Sequence, residues 1–295
     1  MKSIMSFPNR GKWGKSSWRG NTSGHVIKEM IEHFNPRLFV DACEGSGTSR
    51  DVCSDMGIDY VGLDLYRGND FTKDYILNQL PRPADICFTH PPYHSIIEYS
   101  GSVYGNEALM GDTSRCINPE EFIAKSQVML MNQREATREG GIYSTLIGDQ
   151  RGGSLGRGNF RSYQSDFIQM MPKDELLSVT IKLQHNCLSD NRKYSGSYVP
   201  IMHEYLLIWK KKSKSLFAAS YDIASDLTKK VATTWRNAIR IVMMKLGKAS
   251  LSDIYKEVES VASNLIANNP NYKAKIRQTL QKHHTNVARG VWAVA

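Results

Sequence analysis

Leu38-Phe39-Val40-Asp41-Ala42-Cys43-Glu44-Gly45-Ser46-Gly47-Thr48 decides how this chain folds. Leu38-Phe39-Val40 predicts a short buried strand running into Asp41. A glycine-bearing turn follows over Glu44 to Thr48, and Ser49–Met56 predicts a helix closed by Gly57. Tyr60–Asp64 predicts a second strand that ends in an acid. Upstream, Val26, Met30, Ile31 and Phe34 share one side of a helix over His25–Phe34, which Asn35-Pro36 stops. Downstream, Asp85–Phe88 predicts a third strand, Pro119–Arg138 a long helix and Gly141–Ile147 a further strand. Two more strands are expected around Leu177–Leu183 and Glu204–Trp209. Alternation of strand and helix at this spacing implies an α/β domain, a mostly parallel sheet with helices on both faces. Ligands of such sheets bind beyond the carboxyl ends of the strands. The Asp41 turn, Asp64 and His90 all fall at such ends.

The 295 residues suffice for this domain and a smaller one. Lys210-Lys211-Lys212-Ser213 marks the boundary, giving a first domain over 1–215 and a second over 216–295. Lys and Arg number 38 against 29 Asp and Glu, a net charge of +9 that favours polyanionic partners, although a solvated basic surface fits it too. No apolar run reaches the roughly 20 residues of a membrane span, and no secretory signal is visible, so a cytosolic protein without a membrane partner is expected. Five cysteines, none in a C-x-x-C pair, suggest neither a disulfide framework nor a metal site.

The turn at Gly45 and Gly47 leaves helix amides free to face a ligand. It has no Walker Lys-Ser/Thr and no third glycine at G-x-G-x-x-G spacing, which weakens triphosphate and dinucleotide sites. Asp64 can accept both ribose hydroxyls of an adenosine. Asp70 is a candidate partner for an adenine amino group, or a turn cap. His90-Pro91-Pro92-Tyr93 ends the third strand, and two prolines cannot continue a central strand, so they freeze a rigid turn.

The Asp41 turn, then Asp64, then His90-Pro91-Pro92-Tyr93 resembles the DNA amino-methyltransferases, N6-adenine and N4-cytosine, over roughly residues 12–212. Their motif has Asp, Asn or Ser where this chain has His90. The resemblance implies a Rossmann-like domain using S-adenosyl-L-methionine and methylating double-stranded DNA, adenine N6 first. It places Asn21, Thr22 and Ser23 at the methionine end of the cofactor, although Thr22 or Ser23 fits a helix N-cap equally well, and gives Asp41, Glu44, Gly45, Gly47, Thr48, Asp64 and Asp70 to the rest of it. His90 and the Pro91 carbonyl would accept the target amine's hydrogens, with Pro92 fixing the turn and Tyr93 stacking on a flipped base. Cytosine C5 chemistry would need a cysteine nucleophile, usually after proline, and no Pro-Cys pair occurs. His94 reads as a surface or packing histidine.

The glycine-rich stretch 148–165 reads as a long loop opened by Asp149, in which Arg151, Arg157 and Arg161 interleave with Phe160 and Tyr163, a pattern suited to a nucleic-acid backbone or to a plain surface loop. Helices are expected over Ala218–Leu246, Ser250–Val261 and Lys273–His283, with a strand pair over Thr285–Val294. Residues 249–292 resemble a winged-helix module, whose later helix would offer Lys273, Lys275, Arg277 and Lys282 to DNA. A homodimer, an N4-cytosine target, an RNA substrate and an inactive DNA-binding regulator all remain open at this point.

Overall fold

The computed structural model describes residues 1–156, 158–185, 198–213, 215 and 234–294. The chain divides into two units, Met1–Leu216 and Phe217–Ala295. No helix among the described residues is long and apolar enough to cross a membrane.

The first unit is built on a seven-stranded sheet. Its strands are β1 (Ile4–Ser6), β2 (Leu38–Asp41), β3 (Asp59–Gly62), β4 (Ala84–Thr89), β5 (Thr137–Ile147), β8 (Leu176–Leu183) and β9 (His203–Lys210), with a small hairpin of β6 (Gln150–Arg151) and β7 (Phe160–Arg161) beside it. The order is β1-β8-β9-β5-β4-β2-β3. The β5-β4-β2-β3 half is parallel, and β9 runs antiparallel to both its neighbours. From β2 the chain steps to β3 on one side and then to β4 on the other. That reversal opens a crevice at the carboxyl ends of β2 and β4, where α/β sheets bind ligands.

The period-two alternation of the strands sorts two cores. Phe39, Ile86, Phe88, Leu206 and Ile208 face α1 (Gly24–Phe34) and α2 (Thr48–Met56), meeting Val26, Ile27, Met30 and Val52. Val40, Cys87, Tyr143, Leu207 and Trp209 face α3 (Pro119–Ala136) and α4 (Tyr163–Met170), meeting Phe122, Met129, Tyr163 and Phe167. Ser23 caps α1, and Asn35 ends it with a φ of 46°, the left-handed conformation an asparagine tolerates.

The structure departs from the sequence expectations at two places and adds a strand at the N-terminus. The long helix stops at Ala136, and Thr137 already opens β5, so Arg138 lies in a strand and its guanidinium reaches Asp85. The stretch 148–165 is no open loop: it holds the β6–β7 hairpin and the start of α4. Tyr163, Phe167 and Met170, at positions i, i+4 and i+7, bury one face of α4, a periodicity hidden among glycines and polar residues. The N-terminal arm contributes β1, which pairs in parallel with β8 from Ile4 opposite Ile181. A three-residue strand is too short to show a period.

The second unit runs helix Trp235–Leu246, strand Lys248–Ser250, helices Leu251–Val261, Ser263–Ala267 and Tyr272–His283, and strands His284–Ala288 and Val291–Val294. The three strands form an antiparallel sheet. Ile239, Val242, Ile254, Val258, Ile276, Leu280 and Trp292 make its core. The expected start of the first helix at Ala218 lies outside the described residues.

Candidate active site

The turn after β2 is built around carboxylates. Gly45 has a φ of 52° and Gly47 one of 86°, values that suit glycine. The Gly45 amide donates to Asp64 Oδ2 at 2.8 Å, and the Gly47 amide donates to the Glu44 carbonyl at 2.9 Å. These two turn amides are therefore engaged within the protein. Asp41 accepts from the Cys43 amide and the Ser49 hydroxyl, at 2.9 and 2.5 Å. Burial, together with the nearby charges of Asp64 and Glu44, outweighs those bonds and raises the Asp41 carboxyl to about 7. Burial raises Asp64 as well. Asp64 also accepts from the Tyr66 amide at 2.8 Å, so each of its oxygens keeps one lone pair available.

These groups open on a cavity of about 780 Å³, its mouth included. Asn21, Thr22, Asp41, Glu44, Gly45, Thr48, Asp64, Asp70, His90 and Pro92 all line it. Ser23, Gly47, Pro91 and Tyr93 do not. Ser23 is occupied as the cap of α1, and its hydroxyl reaches the Arg10 carbonyl. Asn21 lines the cavity while its side-chain Nδ2 donates to the Lys15 carbonyl. Asp70 accepts from the Thr72 amide and hydroxyl, so it caps a turn and faces the cavity at once.

Sequence reasoning missed several walls of the cavity, among them Tyr99, Tyr104, Asp112 and Thr113. They come from the irregular segment between β4 and α3. Asp112 pins that segment by accepting from the amide and hydroxyl of both Ser100 and Ser114. The only sequence signal was Asp112-Thr113-Ser114, a turn pattern. Trp18 stacks nearly parallel to Tyr104, with ring centroids 6.4 Å apart.

Two properties define what the cavity can hold. Its lining includes Asp41, Glu44, Asp64, Asp70 and Asp112 but, among the described residues, no Lys or Arg. Phosphate groups are poorly matched to it, and a ligand carrying positive charge is well matched. The hydroxyl oxygens of Thr22 and Thr113 are buried in its wall without a hydrogen-bond partner. Buried polar atoms of this kind call for a partner from a ligand or water.

At the end of β4, His90 Nε2 lies 2.7 Å from the Tyr93 hydroxyl, which donates to Glu204 Oε1 at 2.8 Å. Lys182 donates to Glu204 Oε2 at 2.5 Å. Burial, with a contribution from Lys182, lowers the His90 imidazole to about 4 against the pull of Glu204. The ring is therefore neutral at physiological pH. The Tyr93 ring packs beside Gly148, where an added Cβ would approach to 2.8 Å. Tyr93 itself is not part of the cavity lining. His94 is fully buried, bonds the Cys116 carbonyl at 3.0 Å, and is a packing histidine.

The basic residues of the hairpin are engaged locally. Arg151 lies over the rings of Phe160 and Tyr198, at 4.9 and 5.4 Å, and donates to the Gly158 carbonyl. Arg161 pairs with Asp166 and Glu120. Arg157 lies outside the described residues. In the second unit Lys273, Lys275, Arg277 and Lys282 are all exposed on the helix Tyr272–His283. Lys273 lies over the rings of Tyr255 and Tyr272, and Arg277 donates to the Tyr255 hydroxyl.

No family model matches the chain, and no curated protein sequence matches it. Solved structures similar to it include a methyltransferase of Archaeoglobus fulgidus that depends on S-adenosyl-L-methionine (12% identity, 65% of this chain, 96% of that one, TM-score 0.39). A candidate DNA modification methylase of Thermus thermophilus, complexed with S-adenosyl-L-methionine, matches at 16% identity over 60% of this chain and 73% of that one, TM-score 0.34. TehB of Haemophilus influenzae matches at 12% identity, TM-score 0.37, over 64% of this chain and 62% of that one. Likeness at these scores carries no functional conclusion, which rests on the residues of the site instead.

Proposed function

We propose that this chain transfers a methyl group from S-adenosyl-L-methionine to the exocyclic amine of a DNA base, adenine N6 first. The observation that carries this is the acidic cavity at the sheet's switch point, with no Lys or Arg in its lining among the described residues and with His90 and Pro92 on its wall. S-adenosyl-L-methionine, when bound, supplies an activated methyl on a positively charged sulfur. It also carries an ammonium and ribose hydroxyls, which suit this lining. Asp64 has lone pairs for the ribose hydroxyls, and Thr22 and Thr113 hold unpartnered hydroxyls for the ligand's polar groups. His90 is neutral and offers a ring nitrogen as acceptor for one hydrogen of the target amine. The Pro91 carbonyl takes the second hydrogen, which localises the amine's lone pair for attack. Catalysis on this scheme is positioning and hydrogen bonding.

The second unit's order of helix, strand, two helices, short helix insertion aside, and a closing strand pair supports a winged-helix assignment. Its exposed Lys273, Lys275, Arg277 and Lys282 then supply phosphate and base-edge contacts to double-stranded DNA.

The charge state of Asp41 gives a first expected result. Its carboxyl is raised to about 7, so it is mostly protonated at pH 6. A cationic ligand favours the ionised form, so binding releases a proton and affinity rises as the pH rises through 7. Calorimetric titration with S-adenosyl-L-methionine should show affinity growing by up to about tenfold from pH 6 to pH 8, with a proton released at pH 6.5. A pH-independent affinity would remove Asp41 from the site.

The activity itself is tested by nucleoside mass spectrometry after incubating the chain with S-adenosyl-L-methionine and unmodified duplex DNA. N6-methyladenine is the expected product. N4-methylcytosine would keep the chemistry and replace the base. Bound cofactor with no methylated nucleoside in the DNA would overturn the proposal.

A further inference from the structure

The proposed mechanism needs a lone pair on His90, and a neutral imidazole has one on either of two nitrogens. Tyr93 of the motif and two residues outside it decide which. Lys182 on β8 and Glu204 on β9 stand directly opposite each other in the antiparallel ladder. Their side chains are 12% and 8% exposed, so the pair is shielded from solvent. Lys182 has three N–H donors and no acceptor, so it fixes Glu204 Oε2 as an acceptor. Burial would raise the Glu204 carboxyl, but Lys182, His90 and the Tyr93 bond outweigh it and hold it down to about 2. An ionised carboxylate cannot donate, so the single hydroxyl hydrogen of Tyr93 points to Glu204 Oε1. The Tyr93 oxygen must then accept from His90, and the imidazole hydrogen sits on Nε2.

We infer that Lys182, Glu204 and Tyr93 form a relay that locks His90 as its Nε2–H tautomer and leaves Nδ1 as the acceptor for the target amine. The last clause rests on the methyltransfer proposed above, whereas the tautomer follows from the hydrogen-bond geometry of a neutral ring beside an ionised carboxylate. Tyr93, Glu204 and Lys182 are thus positioning residues that act through His90. This gives a histidine at the first motif position what an aspartate or asparagine has by itself, an acceptor of fixed direction. It also gives Tyr93 a role that its place away from the cavity does not otherwise explain.

The relay makes an asymmetric prediction for two variants. Tyr93→Phe removes the middle link, so His90 should become a mixture of tautomers. Glu204→Gln keeps size but not symmetry. Lys182 will claim the carboxamide oxygen, which turns the amide nitrogen toward Tyr93. The Tyr93 oxygen then accepts, its hydrogen turns to His90 Nε2, and the ring flips to the Nδ1–H form.

Nitrogen-15 NMR of the full chain, with the His90 ring assigned by a His90→Asn comparison, reads this directly at pH 7.5. Wild type should show a protonated-type Nε2 and an unprotonated-type Nδ1, Tyr93→Phe intermediate shifts, and Glu204→Gln the reverse of wild type. Glu204→Gln should lose at least about tenfold in kcat and Tyr93→Phe only about two- to fivefold, the share of rings in the other tautomer, with the KM for S-adenosyl-L-methionine retained in both. A wild-type Nδ1–H ring would overturn the relay whatever the activity. Unchanged tautomers in both variants would overturn it too. Should wild type hold the Nε2–H form and transfer no methyl group, the relay is supported and the function proposed above is the part that fails.

Discussion

His90→Ala is expected to lower methyl transfer by about 10²- to 10⁴-fold while S-adenosyl-L-methionine still binds. The substitution removes the acceptor at the end of β4 but leaves Asp41, Glu44, Asp64 and the two unpartnered threonines in place. His90→Asn, which restores an acceptor found in the resembling family's motif, should retain more of the rate than alanine. Single-turnover transfer at saturating cofactor, beside a binding titration, separates the two quantities. A rate unchanged by alanine would remove His90 from the chemistry. The pH profile of wild type adds a second check. Tyr93, Glu204 and Lys182 face the ring, and burial with the Lys182 charge puts the imidazole near 4. The acceptor should therefore persist as the pH falls from 8 to 5.5, whereas a histidine with an ordinary value near 6.5 would be about tenfold depleted at pH 5.5.

Glu175→Ala is expected to destabilise the first unit by about 3–5 kcal/mol. Arg134, in the last turn of α3, donates through Nε and Nη2 to the two oxygens of Glu175 at 2.8 and 2.6 Å. Tyr143 of β5 donates to the same carboxylate at 2.6 Å, and the Lys212 amide does so at 3.0 Å. Both charged side chains are fully buried. Alanine leaves the guanidinium in the core with Glu135 as its remaining carboxylate partner among the described residues, and it removes the acceptor of the Tyr143 hydroxyl. Burial would raise the Glu175 carboxyl, but the Arg134 fork outweighs it and holds it below the usual range. A lowered carboxylate adds stability that is present above its unfolded value and lost as the pH falls through the folded one. Chemical denaturation of wild type and variant at pH 7 and pH 4 should thus show a difference that narrows on acidification. A change under about 1 kcal/mol at pH 7 would mean the triad is not the tie between α3, β5 and the approach to β8.

The parallel half of the sheet was legible because each element carries its own period. Leu38 to Val40 and Ile86 to Phe88 are buried on both faces and therefore read as unbroken apolar runs. The helix α4 was not legible, because its three buried residues sit among Gln, Ser and Asp that cover its outer side. Within the site, Asp41, Glu44, Asp64 and His90 were found because each lies at a strand's carboxyl end, where topology alone directs it toward the crevice. Tyr99, Tyr104, Asp112 and Thr113 come from an irregular segment and carry no such address.

The sequence by itself determined the α/β architecture, the position of the crevice and the acidic residues that ring it, since these follow from local periodicity and from where strands end. Only the tertiary structure decided that the turn amides are already taken, that Ser23 serves a helix and Thr22 the cavity, and that Tyr93 turns away toward Glu204. The reason is physical. A hydrogen bond between residues 93 and 204 has no spacing rule, and its direction depends on a lysine on the strand beside Glu204. Proton positions in a buried chain of donors and acceptors are set by every partner at once, and those partners meet only when the sheet has formed.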